Sequence, residues 1–242
     1  LIDESIRHSI TKMSHIHFCS TEDYKKRIIQ LGESPKSVQN VGALGIENIN
    51  KLTLLSKRDF EDSISFKLDK EFSFLVTLHP VTLENSTASE QVSQLLKALD
   101  SIDNCKIIST KSNSDTDGRI INGMVDEYVL KNPKKSICFS SLGQLRYLSA
   151  LQYVDCVIGN SSSGLIEVPS FKIATVNIGD RQRGRIMGAS VIQCLPEHNE
   201  IIKAIKKAIS KNFKNSVLLN SINPYGKGNS SDLIVNTLKN IK

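Results

Sequence analysis

From Gly159 to Glu167 the chain reads GNSSSGLIE, a dense group of residues with chemical potential. Three consecutive hydroxyls between glycines can bring O–H and backbone N–H donors up to a phosphate. Serine and glycine also build ordinary turns, so the stretch alone leaves both readings open. It is not a P-loop, because the Gly-Lys-Ser/Thr ending is missing, and it lacks the G-x-G-x-x-G fingerprint. Glu167 also has two readings. It is either a first-turn residue favoured by a helix dipole, or an acceptor for the two hydroxyls of a ribose. His79, between an apolar run and Pro80, is either a satisfied core histidine or a group at a cleft. Further polar groups come after other apolar runs: Asn113 and Asp115 in KSNSDTDG, Ser140 and Ser141, and Arg181, Arg183 and Arg185 in GDRQRGR.

These groups act together only if the elements before them share one sheet. Short, nearly unbroken apolar runs at Phe72–Leu78, Lys106–Thr110, Ser136–Phe139, Cys156–Ile158, Ala174–Ile178 and Val191–Cys194 read as strands. Helical patterns lie between most of them. Thr87 with Glu90 forms a capping box before Val92, Leu95, Leu96 and Leu99, and Ser141 with Gln144 forms another that opens a helix over Leu142–Gln152. Further helices are expected near Lys57–Ile64 and Arg119–Lys131, through Ile201, Ile202, Ile205 and Ile209, and from about Asp232. Upstream, Ser20 caps a helix closed by Gly32, between strand-like IHFCS and SVQNVGALG. Alternation of this kind predicts an α/β fold, a doubly wound parallel sheet covered on both faces. Ligands of such sheets bind beyond the carboxyl ends of the strands. That rim is where the polar groups fall, and their convergence says more than any motif among them.

Composition narrows the partners. The net charge is +6, but the lysines are scattered, aromatics make up 5% and tryptophan is absent. An array of base-stacking platforms, and so a nucleic-acid partner, is not expected. Mild basicity suits an anionic small ligand. No apolar run approaches the roughly 20 residues of a membrane span. The five cysteines lack C-x-x-C spacing and the five histidines lack metal-ligand spacing. We therefore expect structural cysteines in a reducing cytoplasm, and neither a metal nor another cofactor. His15 and His17, flanking Ile16, read as structural. The chain begins with Leu1 rather than methionine, and Leu1 is expected not to be the native start.

Six segments in order, DESIRHSITKMSH, VGALGIENI, LVTLHPVT, IGNSSSGLIEVPSF, VNIGDRQRGR and NPYGKGN, make the chain resemble the hydrolysing UDP-N-acetylglucosamine 2-epimerases of sialic acid synthesis. The resemblance covers nearly the whole length. It implies the second half of a two-domain glycosyltransferase-B architecture, with Rossmann-like halves. Residues 1–50 would be the tail of the first domain, 51–225 the nucleotide-binding domain, and 226–242 a helix packing back toward the first. It implies that Ser161 and Ser162 hold a diphosphate, Glu167 the ribose hydroxyls and Arg181 the nucleotide. Leu142 would meet uracil through its backbone, Asn113 would lie by the nucleotide, and His79 would approach the sugar and phosphates. Asp3 matches an acidic position implicated in acid–base catalysis.

The reaction so implied removes the C2 proton and expels UDP, then hydrates the resulting 2-acetamidoglucal to N-acetylmannosamine. The same chemistry on UDP-N,N'-diacetylbacillosamine, a retaining glycosyltransferase of this architecture, and a noncatalytic UDP-sugar-binding module are the rival readings. A homo-oligomer, dimer or tetramer, is expected from relatives. Residues 1–242 alone are expected to lack turnover, because most acid–base carboxylates would lie upstream.

Overall fold

The computed structural model describes residues 2–80, 88–112 and 118–240, and of residues 2 and 3 the backbone alone. Asn113, Asp115 and the Thr87 cap therefore lie outside the described residues, as does the side chain of Asp3. The chain divides into two compact units, residues 1–52 with 223–242, and residues 53–222.

In the first unit α1 (Ile2–Met13) precedes β1 (His17–Cys19), α2 (Glu22–Gln30), β2 (Val38–Asn40) and α3 (Leu44–Lys51). β1 and β2 pair in parallel. The cap of α2 is Thr21, not Ser20: its extended backbone presents Oγ1 to the Tyr24 N–H at 3.2 Å. Gly32 closes this helix at φ +96°, a conformation that favours glycine. His17 is buried with Nε2 3.3 Å from the Glu33 carboxylate, which Lys12 also meets. The strand ends at Asn40 and a helix begins at Leu44, so the strand reading of SVQNVGALG holds only for its first part.

The second unit contains α4 (Lys57–Ile64), β3 (Phe72–Thr77), α5 (Ala88–Asp100), β4 (Cys105–Thr110), α6 (Gly118–Lys131) and β5 (Ser136–Phe139). It continues through α7 (Gly143–Ala150), β6 (Cys156–Gly159), the single turn α8 (Ser163–Ile166), β7 (Ala174–Ile178), β8 (Val191–Cys194), α9 (His198–Ile209) and the short α10 (Lys211–Phe213). The chain then returns to the first unit with α11 (Ser230–Lys239). There Glu47 accepts from the Ser231 N–H at 2.8 Å and from its hydroxyl, tying α3 to the start of α11.

Strands β3 to β8 form one parallel sheet in the order β5-β4-β3-β6-β7-β8. Each is apolar along most of its length, as a strand covered on both faces must be. Phe74, Ile107, Ile158 and Val176 are fully buried, and they share a core with Val92 and Leu95 of α5 and Ile201 and Ile205 of α9. The apolar positions of α9 recur at three- and four-residue steps because one helix face covers the sheet. Among the described residues all five cysteines are free, and β4, β5, β6 and β8 carry one each: Cys105, Cys138, Cys156 and Cys194. No described helix is long and apolar enough to cross a membrane.

The strand order sets the position of any site. From β3 the chain steps to β4 and β5 on one side, then returns to place β6, β7 and β8 on the other. The crevice outside the carboxyl ends of β3 and β6 is thus the switch point at which sheets of this kind bind ligands.

Candidate active site

At that switch point β3 and β6 run in register, Thr77 beside Gly159. A side chain at 159 would put Cβ 1.8 Å from the Thr77 carbonyl oxygen, and φ there is +137°. Only glycine lets the two strand ends approach so closely. Asn160 comes next, fully buried, and ties three loops together. Its Oδ1 accepts from the His79 N–H at 2.7 Å and its Nδ2 donates to the His79 carbonyl at 2.8 Å. Its own carbonyl accepts from Arg181 Nη1 at 3.0 Å and from Gln182 Nε2 at 2.7 Å. The segments carrying His79, Ser161 and Arg181 are thereby held against one another.

Beside them opens a cavity of about 450 Å³. Thr77, His79, Thr110 and Lys111 line it from the ends of β3 and β4, residues 140–144 and Tyr147 from the turn into α7, and Ser161 from the serine loop. Lys111 pairs with Asp126 at 2.7 Å, so its ammonium is balanced by α6. The Thr77 and Thr110 hydroxyls bond to each other across the paired strand ends.

The turn into α7 differs from the expected capping box. Leu142 is the cap and the helix begins at Gly143; the Ser141 hydroxyl accepts from the Gly143 N–H at 3.1 Å. Gly143 has φ +65°, which breaks the helical path that a cap at Ser141 would need. Leu142 is buried at the cavity wall, and its carbonyl accepts from Arg146 Nε at 2.9 Å.

After β6, Ser162 caps α8, which is one turn long. The aligned peptide dipoles of a real helix are thus largely missing here. An anion at this loop would be met by hydroxyls and individual N–H groups. Glu167 ends the turn, and burial pushes its carboxyl above the ordinary range. Its Oε2 is buried without a hydrogen-bond partner among the described residues. A buried carboxylate oxygen left so is costly unless something donates to it.

The structure thus brings His79, Leu142 and Ser161 to one cavity, with Ser162 and Glu167 on the adjoining turn and Arg181 docked on the loop's backbone. Arg183 and Arg185 are exposed. Asp3 lies in α1 of the first unit. Three contributors escaped the sequence reading: Asn160, Gln182 and Tyr147. Asn160 sits inside the serine loop itself, and an amide directly after a strand-ending glycine was the available signal. Gln182 and Tyr147 carry no local signal. Among the described residues no group of three or more His, Cys, Asp or Glu side chains is arranged for a metal ion.

The chain is similar to known proteins over nearly its whole length. The sequence model of the family described as UDP-N-acetylglucosamine 2-epimerase matches residues 1–239. A GDP/UDP-N,N'-diacetylbacillosamine 2-epimerase (hydrolyzing) of Campylobacter jejuni is 45% identical over 240 residues, 99% of this chain and 62% of that protein. The polysialic acid biosynthesis protein P7 of Escherichia coli is 45% identical over 241 residues, 99% of this chain and 60% of that protein. This chain therefore spans about three-fifths of the relatives it matches. The UDP-GlcNAc 2-epimerase of Methanocaldococcus jannaschii, solved with UDP-GlcNAc and UDP, superposes with a TM-score of 0.74 at 20% identity, covering 94% of this chain and 62% of that one. At that identity the likeness establishes the fold.

Proposed function

We propose, since the chain belongs to the UDP-N-acetylglucosamine 2-epimerase family, that it forms the nucleotide-binding part of a hydrolysing UDP-sugar 2-epimerase. The observation that carries this reading is the switch-point cavity, walled by hydroxyls, His79 and the serine loop, with the orphaned Glu167 oxygen on the adjoining turn.

In this reading Ser161 and Ser162 donate to the diphosphate, and Arg181 adds positive charge from the next loop. Donors aimed where negative charge accumulates lower the cost of expelling UDP. Glu167 accepts from the ribose hydroxyls. The Leu142 carbonyl keeps a second lone pair for uracil beside its bond to Arg146. His79, held at both backbone polar groups by Asn160, approaches the sugar and phosphates. Abstraction of the C2 proton needs a carboxylate able to exchange protons, and Asp3 is the candidate in this chain. Asn113 is assigned beside the nucleotide. Residues 1–50 would be the tail of the first domain of the complete enzyme.

UDP-N-acetylglucosamine is the substrate proposed first, yielding UDP and N-acetylmannosamine. A second reading, UDP-N,N'-diacetylbacillosamine, is favoured by the 45% identity to the Campylobacter jejuni enzyme that carries that name. Both sugars pass through the same elimination and hydration. The test is to offer each to the full-length protein in deuterated water. Release of UDP with deuterium at C2 of the 2-epimeric product is the expected outcome. Product without C2 deuterium overturns the elimination, and transfer to an added acceptor in place of hydrolysis overturns the epimerase reading. Which sugar turns over decides between the two substrates.

A further inference from the structure

Tyr147 has no role in the proposed reaction, yet its position is specific. It stands on α7, lines the cavity, and its phenol bonds to the Ser163 hydroxyl at the start of α8. Ser163 and Glu167 are four residues apart, and the Glu167 N–H donates to the Ser163 carbonyl at 3.0 Å, so one turn stacks their side chains on a shared face. The Ser163 hydroxyl also acts on the Glu167 carboxylate, opposing the upward pull of burial on its pKa.

Donor and acceptor chemistry sets the direction of this chain. An ionised carboxylate only accepts, so where the Ser163 hydroxyl meets Glu167 it is Ser163 that donates. Its oxygen is then left to accept, and Tyr147 is the donor. Burial raises the Tyr147 pKa, which keeps the phenol protonated and able to donate. The order is thus Tyr147 O–H to Ser163 O–H to the Glu167 carboxylate, while Glu167 Oε2 stays without a partner among the described residues.

We propose that Tyr147 is a positioning residue that, through Ser163, aims the Glu167 carboxylate at a ribose 2′,3′-diol and so makes the site select ribo- over deoxyribonucleoside diphosphates. The inference rests on the nucleotide reading and adds a selectivity to it.

The experiment compares UDP with 2′-deoxy-UDP by calorimetry on full-length wild-type protein and on Tyr147→Phe, Ser163→Ala and Glu167→Ala. Wild type should prefer UDP by about tenfold or more, the worth of one hydrogen bond to a charged group. Glu167→Ala should abolish the preference. Tyr147→Phe, which conserves volume, should weaken UDP about five- to tenfold while leaving 2′-deoxy-UDP within about twofold. Ser163→Ala cuts the same chain without touching the phenol and should give the same compression. Equal losses for both nucleotides would mean that the phenol only docks α7 on α8, which overturns the proposal. Undiminished discrimination in both variants overturns it too. Failure of wild type to bind UDP overturns the nucleotide reading itself and this inference with it, whereas a wild-type preference that survives the two variants overturns the positioning chain alone.

Discussion

Two serine-rich turns leave this sheet with nearly the same wording, SSLG after β5 and SSSG after β6, and the structure treats them differently. The first leaves an edge strand: Ser140, Ser141 and Gly143 are exposed. The second leaves an inner strand, its serines are half-buried, and Asn160 ties it to the loops on either side. Their glycines are required for different reasons. Gly143 needs its positive φ and has open space around it. Gly164 sits in α8, where an added Cβ would lie 2.6 Å from Thr175 Cγ2, and Thr175 is fixed by its own bond to the Gly164 carbonyl at 2.7 Å. The same residue types thus serve a conformation at an edge and a close packing near the centre. A strand's place in the sheet decides which.

The largest effect should come from removing the anchor that separates the two turns. Asn160→Ala removes the bonds that Asn160 makes to the His79 N–H and carbonyl together, and at roughly 1–3 kcal/mol per buried group the loss should be about 3 kcal/mol. Chemical denaturation of the full-length protein would measure it. An unchanged midpoint would mean that the inner turn is no better anchored than the outer one. Gly164→Ala should come next: overpacking against Thr175 costs about 1–3 kcal/mol, partly offset by better helix propensity, for a net of about 1–2 kcal/mol. Gly143→Ala should cost least, about 1 kcal/mol, because a left-handed alanine is strained but meets nothing. Asparagine sharpens the contrast, since it tolerates the left-handed region. Gly143→Asn should recover most of the alanine loss, while Gly164→Asn should be worse than Gly164→Ala. Equal responses at the two positions would erase the distinction between the turns.

Much of the sheet was legible because buried parallel strands must be nearly all apolar. Ser136–Phe139, Ala174–Ile178 and Val191–Cys194 read directly from that run of residue types. The polar rim was legible for a related reason: once the strands are assigned, the residues just beyond each carboxyl end are known. Short helices without a start signal were not. The cap of α3 is Ala43, which offers no side-chain acceptor to the first turn, so GALG read on as strand. Ser141 shows the reverse failure, a capping pattern overruled by the backbone of Gly143. The rim could be named but not its internal bonds. That Asn160 would grip His79, eighty-one positions earlier, depends on β6 lying beside β3, and no local pattern encodes that adjacency.

The one-per-strand cysteines have a consequence for kinetics. Thiolate, not thiol, attacks an alkylating reagent, and burial pushes Cys138 up to about 11 and Cys156 and Cys194 up to about 12. In the folded sheet these sulfurs are close to inert, and each becomes reactive only when its own strand opens. Pulsed alkylation read by mass spectrometry would therefore time the opening of β4, β5, β6 and β8 separately in the unmodified protein. The half-buried Cys138 on the edge strand should react first, and the fully enclosed Cys156 beside β3 last.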